Sequence, residues 1–192
     1  LLAYVHTYLE KEIQQEQWVR KIEPFRRFLA VAAQMNGQIV NYSAISRDVG
    51  VDDATIATYF EILEDTLLGF FLPAYHRSIR KSQREAPKFY FIDPGIKRAL
   101  DLTLEVPLLP HTLAFGEAFE HWVLLEIKKL ASYRRKRWPL SYLRTKDGVE
   151  IDLIVERTGE PPILIEIKSK DRVVDADAKS LEILGADIHR KS

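Results

Sequence analysis

Three residues near the C-terminus have the types and spacing to do chemistry: Asp152, Glu166 and Lys168. In Glu150-Ile151-Asp152-Leu153-Ile154-Val155 the strand alternation turns Asp152 away from Ile151, Leu153 and Val155, and in Ile163 to Lys168 it places Glu166 and Lys168 on one face and Ile163, Ile165 and Ile167 on the other. The connection Arg157 to Pro162 is short and turn-rich, so the two strands are expected to pair as an antiparallel hairpin on which the three side chains converge. Asp152 and Glu166 would then supply hard oxygen ligands for Mg²⁺ or Mn²⁺. Lys168 could orient an attacking water or neutralise charge building on a phosphoryl group. This is the chemistry of metal-assisted phosphodiester hydrolysis. The same spacing also describes a half-exposed sheet face laced with Lys and Glu pairs.

A fourth acid belongs to a helix upstream. Leu113 to Leu130 is read as a helix with Phe119, Trp122, Val123, Ile127 and Leu130 as its buried stripe, Glu120 half buried at the stripe's edge, and Glu117 and His121 on the solvated side. Glu126 falls inside the apolar sector and is a second candidate acid. The helix is followed by Arg134-Arg135-Lys136-Arg137, which is either a nucleic-acid contact or a solvated basic turn, and then by a strand from Leu140 to Arg144. After the hairpin, Asp175 to Leu184 can form a helix, leaving only Ala186 to His189 for a further strand.

The first half has a different organisation. After an N-terminal helical segment, residues 1–24, a helix from Phe25 buries Phe28, Leu29 and Ala32 and stops near Asn36-Gly37, and a short strand, Ile39-Val40, follows. Ser43 can cap a helix from Ala44 to Val49 that stops at Gly50, and Asp52 or Asp53 can cap a third helix with Ile56, Tyr59, Phe60 and Leu63 as its apolar stripe. Two β segments, Leu68 to Leu72 and Lys88 to Ile92, bracket a basic loop with Arg77, Arg80, Lys81 and Arg84. The order is that of a winged helix-turn-helix over residues 25–108, followed by an αβ domain over 109–192. The fold class is α+β.

Charge argues against the obvious use of a helix-turn-helix. Its third helix, residues 52–65, carries five acids and no Lys or Arg, whereas phosphate binding needs cations and base reading leans on Arg, Lys, Asn and Gln. Packing against another domain or subunit suits it better, and an oligomer is compatible with it. Over the whole chain 28 basic residues balance 28 acidic ones, but residues 113–149 carry eight basic against four acidic and residues 150–192 seven against ten. Any nucleic-acid binding should therefore come from the basic stretches, and be weak and non-specific.

The chain has 192 residues, 46% of them hydrophobic, and no cysteine. That length is enough to bury roughly 70% of the unfolded surface without a disulfide or metal staple. The absence of cysteine excludes thiolate chemistry, and the histidines His6, His76, His111, His121 and His189 lack metal-ligand spacing. With no apolar run long enough to span a bilayer and no signal-peptide pattern, no membrane partner and a cytoplasmic location are expected. The only Met is Met35, so the chain is read as part of something longer.

Five segments carry a resemblance. Tyr8-Leu9-Glu10-Lys11-Glu12-Ile13, Pro87 through Gly95, Gly116-Glu117-Ala118-Phe119-Glu120, Glu150-Ile151-Asp152 and Ile165-Glu166-Ile167-Lys168-Ser169, in this order, resemble the C-terminal domain of unknown function of prokaryotic AAA-type ATPases. The resemblance implies a winged helix followed by a region similar to PD-(D/E)xK restriction-endonuclease-like nucleases, with a mixed sheet. It assigns Glu120 to the helix acid, Asp152 to the first metal carboxylate, and Glu166 and Lys168 to the ExK pair, with Mg²⁺ as cofactor. It also implies an N-terminal P-loop ATPase module as partner. None of the eight glycines is followed by Lys, so no P-loop is present and no ATP is expected to bind this chain through one. Two functions follow as expectations: a Mg²⁺-dependent nuclease-like module, or a non-catalytic protein- or DNA-interaction module coupled to the ATPase.

Overall fold

The computed structural model describes Val19, residues 21–76 and residues 85–189, with the side chains of Asp187 and His189 left aside. The expected N-terminal helix, apart from its last few residues, and the basic loop Arg77, Arg80, Lys81 and Arg84 lie outside the described residues. The protein is α+β and divides into two units. One comprises the residues up to Phe71 together with Pro87–Pro107, the other Leu72–Ala86 together with Leu108 onward.

The first unit is helical. Helices α1 (Ile22–Gln34), α2 (Tyr42–Val49) and α3 (Asp53–Asp65) are followed by strands β1 (Gly69–Leu72) and β2 (Lys88–Phe91), which form a two-stranded sheet, and by α4 (Pro94–Leu100). Ile39 bridges Lys88, which extends the sheet by one short segment where Ile39-Val40 was expected. The expected stripe of α3 is buried, and Phe60 makes edge-on ring contacts with Phe28 at 4.9 Å and Phe89 at 4.8 Å. Asp52 caps α3 by accepting from the Thr55 N–H. The cap of α2 differs from expectation. Asn41 accepts from the Ala44 N–H, and Ser43, now inside the first turn, donates to Asp53 instead. Gly69 passes so close to Phe89 that a Cβ there would stand 2.2 Å from the ring.

The second unit is a sheet with helices. Helix α5 (Leu113–Tyr133) is capped by Thr112, and strands β3 (Leu140–Arg144), β4 (Glu150–Arg157) and β5 (Glu160–Ile165) form an antiparallel sheet in the order β3-β4-β5. A 3₁₀ turn, Asp175–Ala178, leads into α6 (Lys179–His189). The expected mixed sheet is instead antiparallel among its named strands, with one isolated parallel bridge, Ala74 to Tyr142, beside β3, where Tyr75 donates to the Tyr142 carbonyl and Tyr142 to that of Pro73. The Tyr142 hydroxyl donates to the Ala86 carbonyl at 2.7 Å, so one residue of β3 holds both Pro73–Tyr75 and Ala86. Ile151, Ile154 and Ile188 form a core patch against which Tyr75, Leu143, Leu164, Leu181 and Leu184 pack.

Three further expectations are corrected in this unit. The turn between β4 and β5 is only Thr158-Gly159, with Gly159 at φ +77° and Arg157 opposite Glu160. Pro161 and Pro162 belong to β5, an edge strand whose open side needs no ladder donor, and they lie where the β4-β5 register is broken between Val155 and Arg157, so the inward one also interrupts no regular pair. Ala186 to His189 is the end of α6, and no strand follows β5 among the described residues.

The third correction concerns α5. His121 is 2% exposed and lies in its buried face with Leu124, Leu125 and Ala131, whereas Trp122 is 52% and Leu130 44% exposed. The buried face is turned by about one residue from the expected one, roughly 100° on a helix. Apolar residues run round most of this helix, so the 3.6 period does not select one face.

Candidate functional site

The register of β4 and β5 builds the site. Ile154 faces Leu164 and Leu153 faces Ile165, and the same register carried one step further sets Asp152 opposite Glu166. Hydrogen-bonded pairing stops at Ile165, so Glu166, Ile167 and Lys168 lie on an extended tail rather than in the ladder as expected. What holds the tail is Asp152 itself. Its Oδ2 accepts from the Ile167 N–H at 2.7 Å.

Glu166 and Lys168 pair across one residue, Oε1 to Nζ, at 2.6 Å. The Glu166 side chain is 11% exposed, and its Oε2 is buried with no hydrogen-bond partner. Burial pushes the Glu166 carboxyl above its usual 4.5; the Lys168 hydrogen bond pulls it down, and the Asp152 charge adds to the rise. For Lys168, burial acts against the charged form. The hydrogen bond to Glu166 and the charges of Glu166, Asp152 and Asp177 together outweigh it and raise the ammonium above its usual 10.5. Lys168 is therefore a protonated donor, not a base.

These groups border a cleft of about 300 Å³ lined by Glu166, Lys168 and Asp177 and by apolar side chains that include Phe119, Val123, Ile165 and Leu181. Helix α5 runs beside the tail at Gly116, where a Cβ would stand in ordinary contact, 3.4 Å from the Ser169 Oγ. Glu120, one turn beyond Gly116, is half buried at the edge of the face that Phe119 and Val123 turn to the cleft. Glu126 is not part of the site, being exposed and paired with Lys129 at 2.9 Å. Arg134, Arg135, Lys136 and Arg137 are exposed in the turn after α5, and Arg135 ends the helix in the left-handed region at φ +52°.

Asp177 is a site residue that no motif or spacing pointed to. Its carboxylate accepts from Lys170 Nζ at 2.5 Å and from the Val174 N–H at 2.8 Å, which closes the loop after the tail. The Lys170 bond, with that of Val174, holds the Asp177 carboxyl below the usual carboxylate range. A loop closed by one side chain has no period by which it could be read.

The donor set suits a hard divalent cation in one respect: the unpartnered Glu166 Oε2 lies in a buried position on the residue that faces Asp152. Among the described residues, however, no three His, Asp or Glu side chains gather closely enough to hold a metal, so Glu120 does not join Asp152 and Glu166 in a cluster.

The chain belongs to the family described as "Domain of unknown function (DUF8612)", whose model matches residues 1–106. A second family model, "Domain of unknown function (DUF4143)", matches residues 115–192 and so covers the candidate site. The chain is 29% identical over 159 residues to an uncharacterized protein of Mycobacterium bovis and, equally, to one of Mycobacterium tuberculosis. The match takes in 83% of this chain and 35% of each relative, so the chain spans about a third of the length of the curated relatives it matches. No solved structure matches it. Among the described residues, no helix is long and apolar enough to cross a membrane.

Proposed function

We propose that the C-terminal unit is a metal-dependent, nuclease-like phosphodiesterase module, carried in the full-length protein behind a P-loop ATPase. The observation that carries this reading is the Glu166 carboxylate, with one oxygen on Lys168 and the other buried and unpartnered, close enough to Asp152 to feel its charge. Asp152 and Glu166 would hold Mg²⁺. Bound there, the ion would supply Lewis-acid polarisation of a phosphate oxygen and lower the pKa of a bound water. The rest is the work of the chain. Asp152 fixes the tail through the Ile167 N–H, Glu166 fixes the Lys168 ammonium, and Lys168, protonated, donates to the attacking water or to the phosphoryl oxygens as charge builds. The ATPase association is supported by the second matched family, which is commonly found with AAA-type ATPases, and by the greater length of the relatives.

Titration of the purified chain with Mn²⁺, and incubation with single- and double-stranded DNA in Mg²⁺, tests the reading. Binding that Asp152→Ala abolishes, with cleavage that Lys168→Ala stops, supports it. A chain that neither binds Mn²⁺ at Asp152 nor cuts either DNA overturns it.

A second reading is favoured by the acidic exposed part of α3 and by the absence of a strand after β5 among the described residues. On it, the chain is a non-catalytic module that docks protein or DNA for the ATPase. The exposed part of α3, with Asp53, Glu61 and Asp65, suits a protein contact better than a duplex.

A further inference from the structure

Helix α5 presents two aromatic rings to solvent, Trp122 at 52% and Tyr133 at 80% exposure. They are eleven residues apart, which returns to within about 20° of the same face of a helix and separates them by about 16 Å along its axis. The exposed cations Arg134, Arg135, Lys136 and Arg137 follow Tyr133 directly, and residues 113–149 form the most basic part of the chain. We infer that this face, Trp122 and Tyr133 with the Arg134–Arg137 turn, binds single-stranded nucleic acid, the rings stacking on bases and the turn holding the phosphates.

The chemistry of the face selects this occupant. An anionic polymer complements the four cations, and unpaired bases alone offer flat faces to the exposed sides of Trp122, which packs on Phe119 at 6.0 Å, and Tyr133. A lipid surface would need a continuous apolar stripe to sink into it. Here the ion pair of Glu126 and Lys129 stands between the two rings. A duplex keeps its bases stacked inside and could meet only the cations. The inference takes nothing from the metal chemistry of the Asp152 site and holds whether or not that site cuts.

Fluorescence anisotropy in EDTA, with the purified 192-residue chain, a labelled oligothymidylate, a duplex of equal length and vesicles containing phosphatidylserine as competitor, is the test. The expected result is tighter binding of the single strand, with log K falling against log salt at a slope near −3 if all four cations contact phosphate, at roughly 0.7 per contact. Trp122→Ala and Tyr133→Ala should each weaken binding about five-fold or more, the loss of one stacked base, while Trp122→Phe and Tyr133→Phe retain most of it. Replacing all four cations by Ala should flatten the salt slope. Equal or tighter binding of the duplex, unchanged binding by both alanine variants, displacement by the vesicles, or no binding at low salt would each overturn the inference. Binding here without cleavage in Mg²⁺ would leave it standing and remove the phosphodiesterase reading alone.

Discussion

Glu166 faces Asp152 across the end of the β4-β5 ladder, and of the two only Asp152 has a backbone partner, the Ile167 N–H at 2.7 Å. Two carboxylates set opposite one another repel, and burial of Glu166 adds to the cost of its charge. Lys168 offsets part of that cost through its 2.6 Å contact.

This sets a pH dependence for folding. Because the folded pKa of Glu166 lies above its unfolded value, the native state binds more protons than the unfolded state between the two, and stability falls as pH rises through that interval. Glu166→Gln removes the titration. The stability of the variant relative to wild type should therefore increase from below pH 4.5 toward neutrality, by urea unfolding at both ends. Parallel curves would contradict it.

Removing the cation should move the acid. In Lys168→Met the downward pull on Glu166 is lost while burial and Asp152 remain, so its titration, followed by carboxyl ¹³C shift, should move further up. An unchanged titration would show that the two side chains do not meet in solution.

Gly69 is a packing constraint in the first unit. Phe89 is buried and touches the Phe60, Phe71 and Phe91 rings, so it has little room to leave a Cβ at 2.2 Å. Gly69→Ala should cost about 1–3 kcal/mol in denaturant unfolding. Adding Phe89→Leu should recover part of it; a neutral Gly69→Ala would mean that the β1-β2 approach is looser than described.

Tyr142→Phe leaves the Ala86 carbonyl without its donor. The expected loss is about 1 kcal/mol, a typical net value for one hydrogen bond. Hydrogen exchange at the amides of Glu85 and Lys88, which flank Ala86, should accelerate in the same variant, and equal exchange rates would count against the anchoring role.

For Asp177 the readout is local. Asp177→Ala removes the acceptor of the Val174 N–H, so that amide should lose hydrogen-exchange protection while Ile154, in the core of β4, keeps its own. Unchanged protection at Val174 would rule out the closed loop.

The parts of the molecule legible in the sequence were those set by short-range patterning. The stripe Ile56, Tyr59, Phe60 and Leu63, the Asp52 cap and the β4-β5 hairpin all follow from periods of 3.6 or 2 and from one turn. The rest depended on neighbours distant in sequence. Nothing local tells whether His121 or Trp122 of an all-round apolar helix will be buried, because the sheet it packs on decides. Pro161 and Pro162 read as a turn until β5 is known to be an edge strand. Of the site, the opposition of Asp152 and Glu166 was readable from alternation, whereas Asp177 and the Gly116 approach to Ser169 come from tertiary closure.

The anchoring of Pro73–Tyr75 and Ala86 on Tyr142 also orders events in time. The chain must synthesise Pro73 to Tyr75 more than sixty residues before the Tyr142 backbone that pairs with them. It then resumes the helical unit at Pro87 and finishes it at Pro107 before any of β3 exists. During synthesis the helical unit can therefore complete its fold while Pro73 to Tyr75 are still unmatched, and the sheet unit cannot be excised as one contiguous fragment. A truncation that starts at Leu108 would carry every residue of the candidate site and still lack the outer border of its sheet.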